Sequence, residues 1–97
     1  MTLFETGFKG LLIIVPQVYE DERGYFMESF NQEVFNQFKL RFSWVQDNQS
    51  RSSYGVIRGL HYQIQSAAQA KLVRVVEGVI LDVEVDLRAG QPTYGSY

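Results

Sequence analysis

His61 is the only histidine in the 97-residue chain, set in GVIRGLHYQ three residues after Arg58. Imidazole is the side chain that changes charge closest to neutral pH, so His61 is the natural candidate for a general base. A lone histidine in an extended segment also serves as a structural hydrogen-bonder, and its neighbours carry the rest of the argument. Arg58 offers a planar fork suited to a phosphate or a carboxylate. Lys71 opens KLVRVV and becomes a second cation beside the histidine if GLHYQ and KLVRVV are adjacent strands. Strict alternation would send Arg58 and His61 to opposite faces of a strand. A shared site therefore requires a bulge, and Gly59 is the position that can supply one.

The remaining chemistry is narrower. Asp82, Glu84 and Asp86 alternate with Leu81, Val83, Val85 and Leu87. Such a stripe is a metal or acid/base set in some proteins and the solvated face of a strand in others. A catalytic zinc or iron site draws on several imidazoles, so with one histidine no metal is expected. There is no glycine-rich phosphate loop and no nucleophile elbow. With no cysteine, disulfides and thiolate sites are excluded. A formal net charge of -2, from nine basic and eleven acidic side chains, gives no general drive towards nucleic acid. An anionic ligand would have to meet local arginines. The apolar run LLIIV is too short for a membrane span, so the chain reads as cytoplasmic, without a membrane partner.

These residues must be held by a small fold. Hydrophobic content of 45% with 21% charged residues specifies a globular chain, and 97 residues allow one domain at most. LLIIVPQVYEDERGYFMESF reads as a buried strand, a turn on DERG and a second strand over YFMESF. NQEVFNQF spaces Val34, Phe35 and Phe38 as a short amphipathic helix with Asn31 as its cap. The segment SWVQDNQSRSS is polar and turn-rich, GVIRGLHYQIQ is extended, and SAAQA is a loop. KLVRVVEGVILDVEVDL carries the clearest strand alternation. A two-residue turn at Glu77 and Gly78 would set Val76 opposite Val79, Val73 opposite Asp82 and Lys71 opposite Glu84. Leu72, Val76, Val79, Leu81, Val83 and Val85 would then share an apolar face, with Arg74 the exception. Gly90 and Pro92 mark a closing turn. The expected fold is a small antiparallel all-β protein with one short helix.

VQDNQSRSSYGVIRGLHYQ followed by AQAKLVRVVEGVILDVEVDLRAGQPTYGSY closely resembles the dTDP-4-dehydrorhamnose 3,5-epimerase family, as does ERGYFMESF nearer the start. VQDN, RGLHYQ and KLVRV occur in the family's order and spacing. The resemblance implies a cupin jelly roll, a homodimer, and inversion of C3 and C5 of a dTDP-4-keto-6-deoxy sugar without cofactor; half of a jelly roll leaves strand edges and an apolar face open, so strand exchange between chains, or another partner, is expected. By the same resemblance His61 matches the catalytic base and Lys71 the residue beside the keto oxygen. Arg23, Glu28, Gln46, Asp47, Asn48 and Arg58 match positions that bind the nucleotide sugar. Ala70 departs from the glycine expected before the lysine. The family's proton-donating tyrosine and the aspartate that orients the histidine lie further along than this chain reaches, and Tyr94 and Tyr97 come too early to replace the donor. The chain thus reads as residues 1–97 of a single partial domain, with the carboxy-terminal half absent. The resemblance leaves two functional classes: an epimerase, or a non-catalytic sugar-nucleotide binding or dimerisation module.

Overall fold

The computed structural model describes residues 1–97, which form two compact units: Met1–Arg41 with Val79–Tyr97, and Phe42–Gly78. The regular elements are antiparallel strand pairs and one short helix, in keeping with an all-β class.

The first unit opens with a hairpin. Strand β1 (Thr2–Glu5) pairs antiparallel with β2 (Leu12–Val15), in a register that sets Leu3 against Ile14 and Phe4 against Ile13. Thr6 closes its loop: its hydroxyl donates to the Leu11 carbonyl at 2.9 Å and accepts the Phe8 N–H at 3.1 Å. TLFE is too short to show a period, which is why the sequence pattern does not announce β1. Pro16 ends β2, since it has no N–H for the ladder. A separate strand, β3 (Val18–Asp21), then pairs with β4 (Gly24–Met27) across the expected DERG turn. In this hairpin Asp21 faces Gly24, leaving Glu22 and Arg23 as the turn residues, and Gly24 has φ +130°, a value that favours glycine. LLIIV is not the buried strand expected. Ile13 is 55% exposed, because each two-stranded sheet has no second layer across its apolar face.

Helix α1 (Gln32–Gln37) starts where the sequence places it. The Asn31 side-chain oxygen accepts from the Glu33 and Val34 N–H groups at 2.9 and 3.2 Å. Its far end is a Schellman motif with lysine in the usual glycine position. Lys39 has φ +62° and donates to the Asn36 carbonyl, while the Leu40 N–H reaches the Phe35 carbonyl at 2.9 Å. That wrap explains the core. Phe35 and Leu40, the two residues the motif brings together, are the buried apolar side chains, and Phe30 meets Phe35 edge-on at 4.9 Å.

The strand hairpin expected over residues 71–87 does not form. Neither arm is a β-strand, although the chain does turn at Gly78 with φ +86°. Alternation supplies one apolar face, and that face needs a second layer to hold it. Leu81, in the middle of the stripe, is 90% exposed. GVIRGLHYQIQ is likewise without a strand partner. In the second unit the regular element is a single 3-10 turn, Gln65–Ala67, which begins on the last residue expected to be extended and runs into the expected loop, and Phe42 packs on Trp44 at 5.4 Å.

Candidate active site

The six candidates in the second unit all lie on irregular, exposed backbone. No hydrogen bond joins His61 to Lys71, and both residues are exposed. The break in alternation expected at Gly59 is present as a backbone conformation, φ +124°, without the sheet that would make it a bulge. A Cβ at Gly59 would lie 3.9 Å from both the backbone nitrogen and Nδ1 of His61, so the imidazole folds back over this position. An added methyl would meet the ring at ordinary contact distance, but the positive φ would strain it.

Arg58 is held within its own loop. Its Nε donates to the Ser52 hydroxyl at 3.0 Å and its Nη2 to the Arg51 carbonyl at 3.3 Å. Gln46 donates to the Asn48 side-chain oxygen at 3.3 Å across Asp47, on irregular backbone. Nothing in the sequence points to Ser52 as the partner of Arg58, since a serine six residues away has no fixed period relative to the arginine.

The first unit carries Arg23 and Glu28. Glu28 accepts from the Asn31 side-chain amide at 3.1 Å, which ties this carboxylate to the helix cap. Arg23 is clamped by Asp21: its backbone N–H donates to Oδ1 at 2.9 Å, its Nε to Oδ1 and Oδ2 at 3.2 and 3.1 Å, and its Nη2 to Oδ2. The Arg23 side-chain hydrogen bond, then its backbone N–H, holds the Asp21 carboxyl below its ordinary value.

The acidic stripe does not behave as one set. Asp86 is buried, and it accepts from the Arg88 N–H, Nε and Nη2, each at 2.9 Å, and from the Thr93 hydroxyl at 2.5 Å. The Arg88 guanidinium, then Thr93, holds its carboxyl well below the usual carboxylate range. Desolvation by the surrounding chain, then the neighbouring Asp82 charge, raises the carboxyl of the exposed Glu84. Asp82, Glu84 and Asp86 are therefore not one solvated face, since Asp86 is buried while Asp82 and Glu84 are exposed. No helix is long and apolar enough to cross a membrane.

Comparison with known proteins adds what this geometry does not contain. The family model described as dTDP-4-dehydrorhamnose 3,5-epimerase matches residues 5–97. A dTDP-4-dehydrorhamnose 3,5-epimerase of Shigella flexneri is 51% identical over 100% of this chain and 54% of its own length. The protein of that name from Methanothermobacter thermautotrophicus is 53% identical over 96% of this chain and 50% of its own. In Mycolicibacterium smegmatis the figures are 40% identity, 100% and 49%. The chain spans about half the length of the curated relatives it matches. No solved structure matches it.

Proposed function

The chain belongs to the dTDP-4-dehydrorhamnose 3,5-epimerase family, and from that premise we propose that it supplies the base and the nucleotide-sugar contacts of an epimerase. The substrate is a dTDP-4-keto-6-deoxy sugar, and the reaction inverts C3 and C5 on the way to the dTDP-4-dehydro-L-rhamnose configuration. The observation that carries this reading is the family match itself, which spans residues 5–97 and so includes VQDN, RGLHYQ and KLVRV.

The chemistry follows from the substrate. C3 and C5 flank the C4 carbonyl, so loss of either proton gives an enolate whose charge sits on the C4 oxygen. His61 takes the proton. Lys71 stands at the developing oxyanion, where its positive charge stabilises the enolate and lowers the barrier to proton loss. Arg58 and Arg23 neutralise the diphosphate, which is how a net-negative chain holds an anion. Glu28, Gln46, Asp47 and Asn48 complete the nucleotide-sugar contacts. The fold is a jelly roll in a homodimer built by strand exchange, and the exposed strand edges and apolar faces described above are the surfaces such an assembly covers.

Solvent deuterium uptake tests the mechanism. In a full-length context, His61→Asn is expected to abolish exchange at both C3 and C5, read by proton NMR in deuterated buffer. Affinity for dTDP should stay within about 1 kcal/mol, because removing the base leaves the phosphate contacts intact. Exchange persisting at either carbon in the variant would remove His61 from that step. A protein that binds dTDP yet exchanges neither carbon before mutation would be a binding module instead.

A further inference from the structure

Asp-Xaa-Arg occurs twice in the first unit, at residues 21–23 and 86–88, and the two copies are built alike. In each, the arginine backbone N–H and Nε donate to the aspartate Oδ1 while Nη2 donates to Oδ2. The aspartate thus takes one edge of the guanidinium, leaving the opposite edge, formed by Nη1 and the second Nη2 hydrogen. In Arg88 that outer edge is used: Nη1 donates to the Lys9 carbonyl at 2.6 Å. In Arg23 it meets no acceptor in the chain, and the side chain is 84% exposed at the tip of the β3–β4 hairpin.

We propose that Asp21 is a positioning residue for Arg23, fixing the guanidinium plane so that its outer N–H pair is presented to the diphosphate of the nucleotide sugar. The inference rests on the assignment of Arg23 to that diphosphate. A guanidinium has five N–H donors in a rigid fork, so fastening the inner edge leaves a two-donor edge that matches two phosphate oxygens. Arginine side chains lose much rotamer freedom on binding, and a clamp already in place removes part of that cost from the binding step. Net charge at the tip works the other way. Glu20, Asp21 and Glu22 surround one arginine, so the general field there repels an anion, and only a directed contact favours it. Asp21 therefore has two separable effects: its charge opposes the ligand and its grip favours it.

The experiment sets those effects against each other. Asn at position 21 keeps an Oδ1 able to accept the Arg23 N–H, so the turn is retained while the ionic clamp is lost. In the full-length protein, Asp21→Asn should raise both the Kd for dTDP and the KM for the keto sugar about fivefold, with kcat within about twofold of the parent. The loss should persist in 0.5 M salt, and Asp21→Glu should recover part of it. In an Arg23→Ala background, Asp21→Asn should add nothing further. If Arg23→Ala weakens dTDP binding while Asp21→Asn leaves it unchanged or tightens it, Asp21 is only a competing anion and the positioning role is wrong, with the Arg23 assignment intact. The positioning role fails equally if Asp21→Asn is just as damaging without Arg23. An Arg23→Ala variant with undiminished affinity would overturn the Arg23 assignment and the clamp with it.

Discussion

Asp21 with Arg23, and Asp86 with Arg88, are the same local solution placed in opposite surroundings. Both are aspartates that bind the N–H and the guanidinium of the second residue along. The first pair sits on a hairpin tip, its aspartate side chain 41% exposed; the second has its aspartate side chain 2% exposed and acquires two partners from elsewhere in the fold. Thr93 closes on Asp86 from the end of the chain, and the Asp86 backbone is tied to Gly95 and Ser96 at 2.7 and 3.0 Å. Arg88 reaches the Lys9 carbonyl in the β1–β2 loop, 79 positions away in sequence. An identical pairing is therefore a free-standing orienting device in one place and a clasp between distant segments in the other. What separates them is whether the outer donors of the arginine find an acceptor inside the chain.

The largest contrast should appear in thermal stability. Asp86→Ala removes the acceptor of four hydrogen bonds from a site where water cannot fully replace it, and the full-length protein should lose roughly 5 °C or more in Tm. Asp21→Ala removes an exposed pair, whose contribution is small, and Tm should move by about 1 °C or less. Equal shifts in differential scanning calorimetry would mean that burial does not distinguish the two turns.

Acid should separate them next. The folded Asp86 carboxyl lies below its ordinary value of 3.8, so its stabilising contribution is complete above that value and is lost as pH falls from there towards the folded pKa. Stability measured by urea unfolding should therefore drop steeply between about pH 4 and 2, and Asp86→Asn should flatten that part of the curve. Asp21 is also depressed, by Arg23, and acts in the same direction, but from an exposed site. A curve unchanged in Asp86→Asn would mean that the clasp is not ionised as described.

The contrast also shows what could be read beforehand. DERG was legible as a turn and Asn31 as a cap because both depend on residues within four positions of each other. The family was legible from RGLHYQ and KLVRV, and the candidate residues came with it. Asp86 was not. In a window that alternates Asp82, Glu84 and Asp86 with aliphatic residues, a period of two describes a solvated face, and nothing nearby announces that Lys9 and Thr93 will close around the third carboxylate and its arginine. The repeated Asp-Xaa-Arg at 21–23 and 86–88 was the available signal, and it became informative only when the two environments could be compared. The hairpin over residues 71–87 failed for a related reason: alternation states which side chains share a face, while the ladder also needs something for that face to pack against.

Salt gives the smallest effect and the most direct comparison. Screening acts on exposed charges: the Debye length falls from about 10 Å at 0.1 M to about 3 Å at 1 M. The hydrogen-bonded part of the Asp21 interaction survives, but its longer-range component, including repulsion from Glu20 and Glu22, is screened. The Asp86 side chain is only 2% exposed, and the direct hydrogen bonds it accepts from Arg88 and Thr93 are weakened little by screening. Carboxyl-detected NMR titrations of the two aspartates at 0.1 and 1 M salt should therefore show the Asp21 midpoint moving measurably, by about a few tenths of a pH unit. The Asp86 transition should stay where it is. A salt-sensitive Asp86 would make the buried clasp an open surface pair, and the distinction between the two turns would then rest on sequence position alone.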